Sequence, residues 1–344
     1  VTPDELITRF AARWGADAAM MRHAPEPVME FTITGGEGRN QAAYAGEIDA
    51  IWLNFHTRWG NYVYQLIHVF HAATLLNVRQ VYIVSTEIFP VTDRTIGAIK
   101  ILSHAHVPPA HLYCLRGVFF NPLALGRMMD SLTAGRRVHL AAAYVAPLLA
   151  PMNMSQVPAG PDDLAIHIRS GDIFEGEDGA AAAIPGGIYY IQPPLSFYTM
   201  VLDRVFGGRK GHVVIIAENA RNPVILPLVR QADTMGLAVT LRLGQSLPDD
   251  LCWLFAARQI VFANGTIGIA IALLSKSLRT GYFFRRNSTG MLHDISHYLG
   301  GKIEQRVVAD HDGAYIQIGD WSNTKAQRAE MLEYPQDRLF WENP

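Results

Sequence analysis

The chain has 344 residues, 49% hydrophobic and 17% charged, with a formal net charge of -2. That is material for two packed domains and excludes a disordered chain, and the near-neutral balance excludes broad electrostatic binding to nucleic acid. No apolar run reaches the roughly 20 residues that span a bilayer; Leu140 to Met152 comes nearest and is interrupted by proline.

In chain order, Thr2-Pro3-Asp4-Glu5 predicts a capped helix start. Residues 28 to 35 alternate as a strand and end in Gly35-Gly36-Glu37-Gly38, a turn without the Lys-Ser/Thr of a phosphate loop. Ile48 to Phe55 reads as a strand. Trp59-Gly60-Asn61 follows, then an amphipathic helix to Asn77 and a strand from Gln80 to Ser85. This strand–helix–strand unit is the building block of a parallel sheet. Helices are predicted at 92–104, 123–130 and 137–149, with a strand at 110–115. Turn residues from Ala150 to Asp163 mark a domain boundary, giving domains of 1–155 and 156–344.

The second half repeats the rhythm. Strands are expected at 164–169, 212–217, 237–242, 259–263 and 279–284, and helices at 195–206, 223–235, 249–257, 267–275 and 323–333. The fold class is therefore α/β, with two facing Rossmann-like domains and a cleft between them. Cys114 and Cys252 sit in apolar runs and have no metal-ligand spacing, so the cysteines predict buried hydrophobes and no structural zinc. Asn153, Asn264 and Asn287 open Asn-x-Ser/Thr triplets, a pattern that chance supplies readily.

Chemistry concentrates in two stretches. Ala165-Ile166-His167-Ile168-Arg169-Ser170-Gly171-Asp172 is an apolar strand that stops at turn residues. An Arg at such a strand end offers a rigid fork of donors for phosphate. Asp249-Asp250 opens a helix, and the strand Ile260 to Ala263 then delivers Asn264-Gly265-Thr266 onto the next helix N-terminus, a ready anion site. A plain capping role for Thr266, and a surface ion pair of Arg169 with Asp172, are the simpler readings of the same residues. Gly60-Asn61 is either a ligand-approach turn or a helix start.

His167-Ile168-Arg169-Ser170-Gly171-Asp172 resembles the His-x-Arg-Arg-x-Asp motif of the fucosyltransferase superfamily, which includes α1,2-, α1,6- and protein O-fucosyltransferases. Asp250 and Thr266, 266 − 250 = 16 positions apart, are similar to that family's Asp and Ser/Thr pair. Gly60-Asn61 with Gln65-Leu66, and Val213 to Asn219 with Glu218 at the strand end, also look like family features. The resemblance spans residues 48 to 284. It implies a GT-B-like, inverting, metal-independent glycosyltransferase without a cofactor. Arg169 would be its catalytic phosphate grip. His167, Asp172, Glu218, Asp250, Asn264, Gly265, Thr266, Gly60 and Asn61 would surround a nucleotide-sugar donor, GDP-fucose first among them.

The implied partners are that donor and a glycan or lipid-linked acceptor, in a cytoplasmic setting or at the inner membrane surface. His56 is the first candidate for the acceptor's base, ahead of Glu87 and Asp93, and the loop 174–192 with Tyr189 and Tyr190 is assigned to the acceptor side. Ser170 departs from the motif, since many members carry a second Arg there. That departure leaves open another nucleotide sugar, or a non-catalytic binding module of the same fold. A dinucleotide enzyme is disfavoured because no Gly-x-Gly-x-x-Gly follows a first strand.

Overall fold

The structure, a computed structural model, describes residues 2–22, 31–37, 48–53, 58–86, 89–103, 107–120, 122–149, 160, 162–175, 191–285, 298–311, 313–315 and 321–342. The chain divides into two compact units, Val1–Asn153 and Met154–Pro344.

The first unit opens with α1 (Pro3–Trp14), where Thr2 and Glu5 form a reciprocal cap, followed by α2 (Ala18–Arg22). Its strands are β1 (Phe31–Thr34), β2 (Ala50–Leu53), β3 (Gln80–Ile83), β4 (Arg94–Ile96), β5 (Ile99–Ser103) and β6 (Cys114–Gly117). Among the described residues they form one sheet in the order β1-β6-β2-β3-β5-β4. β6, β2, β3 and β5 run parallel, and β1 and β4 are antiparallel edges. The crossover from β2 to β3 is α3 (Trp59–Leu75), buried at nearly every position from Trp59 to Ala73. A helix this apolar around its circumference belongs inside a core.

Several expectations for this unit are corrected. Of the expected helix 92–104, the described residues 92–103 form no helix; they hold the β4–β5 hairpin. Thr95, Ile96, Ile99 and Ile101 are β-branched and Gly97 takes a left-handed φ of 60° in the turn, so strand and turn chemistry outweigh the helical spacing. Residues 110–113 precede the strand, which begins at Cys114. The stretch Pro122–Ser131 is 3-10 helix interrupted at Gly126. After it, α4 (Ala134–Leu140) continues through a π turn, Ala141–Val145, into α5 (Ala146–Leu149).

The second unit contains strands β7 (Leu164–Ile168), β8 (His212–Ala217), β9 (Ala238–Leu243), β10 (Gln259–Val261), β11 (Thr280–Phe284), β12 (Glu304–Asp310) and β13 (Leu339–Trp341). Its helices include α6 (Leu195–Phe206), α7 (Ile225–Thr234), α8 (Leu247–Ala256), α9 (Thr266–Leu274) and α10 (Lys325–Glu333). The sheet order is β13-β12-β11-β10-β7-β8-β9, parallel except for β13. In chain order this is the 3-2-1-4-5-6 arrangement of a doubly wound fold, with an antiparallel seventh strand. β7 is central: Ile166 is in register with Ile215 on one side and Val261 on the other.

Leu164, Ile166 and Ile168 point into one core with Phe197, Val213, Ile215, Leu228 and Trp321. Strand alternation therefore sends Ala165 and His167 to the opposite face, where α8 packs on β7. Both units are thus α/β with parallel-rich sheets, the class expected from the sequence. β12 and β13 carried no such expectation; β12 opens with the polar run Glu304-Gln305-Arg306 and pairs through its backbone.

Candidate functional site

In an open parallel sheet the strand order reverses at one place, and the loops there diverge to opposite faces and leave a crevice. In the second unit that place lies between β7 and β10. Two of the predicted stretches meet there: Arg169 leaves the end of β7, and Asn264-Gly265-Thr266 leaves β10.

The Arg169 guanidinium lies beside Gly265; a Cβ built on that glycine would stand 3.5 Å from Arg169 Nη1. Nη2 is 3.8 Å from Asp172 Oδ1, and both side chains keep part of their surface in solvent. Gly265 is the N-cap of α9 and has no side chain to accept from the first N–H groups of the helix. The first N–H groups of α9 and a guanidinium therefore share one neighbourhood, and both carry positive charge. At the other end of α9, Lys302 Nζ donates to the carbonyls of Ala272, Leu273 and Ser275 at 2.7, 2.5 and 3.0 Å. Burial lowers this ammonium to about 8. It ties down the carboxyl end of the helix whose amino end faces Arg169.

The turn after β7 is bolted to the turn after β8. Asn222 Nδ2 donates to Arg169 O at 2.9 Å, Ser170 Oγ donates to Asn219 Oδ1 at 2.5 Å, and Asn222 N donates to Ser170 Oγ at 3.3 Å. Ser170 is only 2% exposed, so its hydroxyl is part of the framework. Gly171 has a φ of 84°, and an added Cβ would meet the Glu218 carboxylate at 2.2 Å. Only glycine fits that left-handed, crowded position. Glu218, just after β8, is exposed and packed on Gly171.

The remaining predicted residues divide. His167 faces the α8 side half-buried, with Nδ1 buried and unpartnered; burial and then the Arg169 charge lower its pKa to about 4, so it is a neutral imidazole. Asp250 is buried in the first turn of α8 and pairs with Arg242 of β9 at 3.3 Å, while Arg242 also lies over the Trp253 ring. Burial raises the Asp250 carboxyl against the opposing pull of Arg242. Asn264 is tied to the chain before α6: its Nδ2 donates to Ile191 O at 2.8 Å, and its own carbonyl accepts from Gln192 Nε2 at 3.2 Å. Its side chain is a structural clamp on the chain leading into α6. Thr266 is the first residue of α9.

Gly60 and Asn61 belong to the other unit. They lie inside the first turn of α3, which starts at Trp59 with Arg58 as N-cap, so they form no separate turn. Asp93 accepts from Ser103 N at 2.7 Å and braces the β4–β5 hairpin. His56, Glu87, Tyr189, Tyr190, Asn153 and Asn287 lie outside the described residues. Among the described residues no three His, Cys, Asp or Glu side chains gather as metal ligands, and no helix is long and apolar enough to cross a membrane. Sequence reasoning missed Asn222, Arg242 and Lys302. Asn222-Pro223 is a turn signal that could have directed attention to the first of them.

No protein-family model matches the chain, and no curated protein matches it. Among solved structures, two of POFUT1 are similar to it. One is a complex with GDP, at a TM-score of 0.39, and the other a complex with GDP-fucose, at 0.38. Each has 10% identity and covers 68% of this chain and 97% of its own.

Proposed function

We propose that the second unit binds a nucleoside diphosphate sugar and that the protein is an inverting glycosyltransferase. One observation carries this reading: Arg169, at the end of the central strand, lies beside Gly265 at the N-terminus of α9, at the switch point of the sheet. A diphosphate is the ligand whose charge and acceptor oxygens suit that pairing.

In the proposed reaction an acceptor hydroxyl attacks the anomeric carbon while the bond from that carbon to the β-phosphate oxygen breaks. The electron pair stays on the diphosphate, and the acceptor's proton passes to a base. Charge therefore grows on the leaving phosphate, where Arg169 and the N–H groups of α9 meet it already oriented. This places a guanidinium and a helix end in the role that a divalent cation could otherwise fill. His167, held neutral, and Asp250, held by Arg242, are assigned to the nucleoside side. GDP-fucose is the first donor to test, because the motif around Arg169 resembles that of the fucosyltransferases.

Calorimetry of the purified chain against GDP, UDP, CMP and NAD tests the binding half. One nucleoside diphosphate should bind in preference to CMP, and Arg169→Ala should abolish that preference while the fold is kept. Absence of nucleotide binding by the wild type would remove the reading, and a preference for NAD would replace it with a dinucleotide site. Release of fucose from GDP-fucose tests the chemistry; binding without turnover of any sugar nucleotide would leave a nucleotide-binding module.

A further inference from the structure

We infer that Asn222, acting through Ser170 and Asn219, is the positioning group that aims Arg169 at the α9 N-terminus; this rests on the diphosphate reading of the site. Beyond Ile168, which is the last β7 residue in register with β8, Arg169 has left the ladder. Its backbone there is held by side chains from the turn after β8. Asn222 takes the Arg169 carbonyl through Nδ2. The same residue caps its own turn, since its Oδ1 accepts from Val224 N at 3.1 Å. Its main-chain N–H goes to the Ser170 hydroxyl. Asn219 Oδ1 receives both that hydroxyl and Arg221 N, the latter at 3.0 Å.

Every polar group of Asn222 named here is therefore committed, in a residue 1% exposed. The amide is oriented without ambiguity, because its Nδ2 must donate to a carbonyl and its Oδ1 must accept from an N–H. Gly171 closes the clamp by packing directly on Glu218. Three successive residues, 169 to 171, are thus held by the five-residue turn 218 to 222. The hydrogen bond from Asn222 reaches Arg169 at its backbone carbonyl. The turn's effect on a ligand would pass through the backbone of Arg169, by keeping its long side chain pointed at the helix end.

Such a role makes a prediction that a merely stabilising contact does not. Calorimetry would use whichever of GDP and UDP the wild type binds more tightly, with the corresponding nucleoside as control. Asn222→Ala should weaken diphosphate binding about tenfold, as loss of orientation at a charged grip does, and leave nucleoside binding unchanged. Ser170→Ala, the milder variant should Asn222→Ala fail to fold, should weaken it about threefold in the same selective way. In an Arg169→Ala background neither substitution should cost more than about twofold, because nothing remains to be aimed.

Equal losses with and without Arg169, or equal losses for nucleoside and diphosphate, would overturn the positioning role and leave the diphosphate site standing. A wild type that binds neither diphosphate would overturn both. A fall in unfolding temperature alone, with binding unchanged, would also overturn the positioning role.

Discussion

The two units present the same topological opportunity and treat it differently. In each, strand order reverses beside the first parallel strand, between β2 and β6 in one unit and between β7 and β10 in the other. Among the described residues of the first unit, several polar side chains of α3 are turned inward and bond to the backbone. Gln65 Oε1 accepts from Phe119 N, His68 Nδ1 donates to Phe119 O, and the Tyr62 hydroxyl donates to Val84 O. His71, one turn further along α3, donates to Met128 O at 3.0 Å. In the second unit the side chain at the reversal stays at the rim, and it is the backbone around it that is tied down. A switch point supplies a crevice; whether polar side chains are spent on the framework or left at the mouth decides whether it can hold a ligand.

Acid should separate the units most sharply. Burial pushes the His68 imidazole down to about 3 and lowers His71 as well, whereas the unfolded chain protonates near 6.5. The unfolded state then binds more protons, so stability is complete above about pH 6.5 and falls as pH drops toward 3. The slope reaches about 1.4 kcal/mol per pH unit for each such group. Hydrogen-exchange protection of α3 should show this loss, and His68→Asn, which keeps a donor toward Phe119 O, should flatten it by one group's share. His167, lowered to about 4, adds a like slope in the second unit. An acid profile of α3 unchanged by His68→Asn would undo the contrast between absorbed and rim groups.

Arg169→Ala comes next in size. Loss of its charge-assisted hydrogen bonds should cost about 2 kcal/mol of diphosphate binding, roughly thirtyfold, with little change in thermal unfolding. Calorimetry and a melting curve on the same sample read both. Lys302→Met should behave the other way round. Losing the cation at the carboxyl end of α9 should lower stability by about 1 to 2 kcal/mol and reduce diphosphate affinity only a few-fold; a melting curve unchanged by the substitution would show that the three carbonyls do not need it. The smallest effect belongs to Thr2→Ala. Loss of the α1 cap should cost about 1 kcal/mol in the first unit and leave nucleotide binding in the second untouched, which unfolding and calorimetry together would check.

Much of the second unit was legible residue by residue. Helix α6 and strand β8 occupy the predicted positions, because Pro194 and Gly207 punctuate the helix and the run Val213 to Ala217 is uniformly apolar. Strand-and-turn reasoning placed Arg169 at the end of a strand and Thr266 at the start of a helix; their pairing came from the family resemblance. What could not be read was which distant element would consume a given side chain. Asn264 looked like a site residue by its place in a turn, yet its amide answers to Ile191, 73 positions away. Ser170 looked like a gap in a motif and is a buried hydroxyl in a bolted turn. The β4–β5 hairpin was misread because a short apolar run with one glycine satisfies helical and strand spacing alike.

The central placement of β7 also sets two loop closures of unequal cost. The turn that clamps Arg169 lies about 50 residues downstream of it, whereas the helix end it faces lies almost twice as far along the chain. Near pairings cost less loop entropy than distant ones and can close earlier, during synthesis as well as refolding. The clamp on the strand end is therefore the cheaper of the two closures, by about 0.5 kcal/mol of loop entropy, and it does not require β10 to be in place.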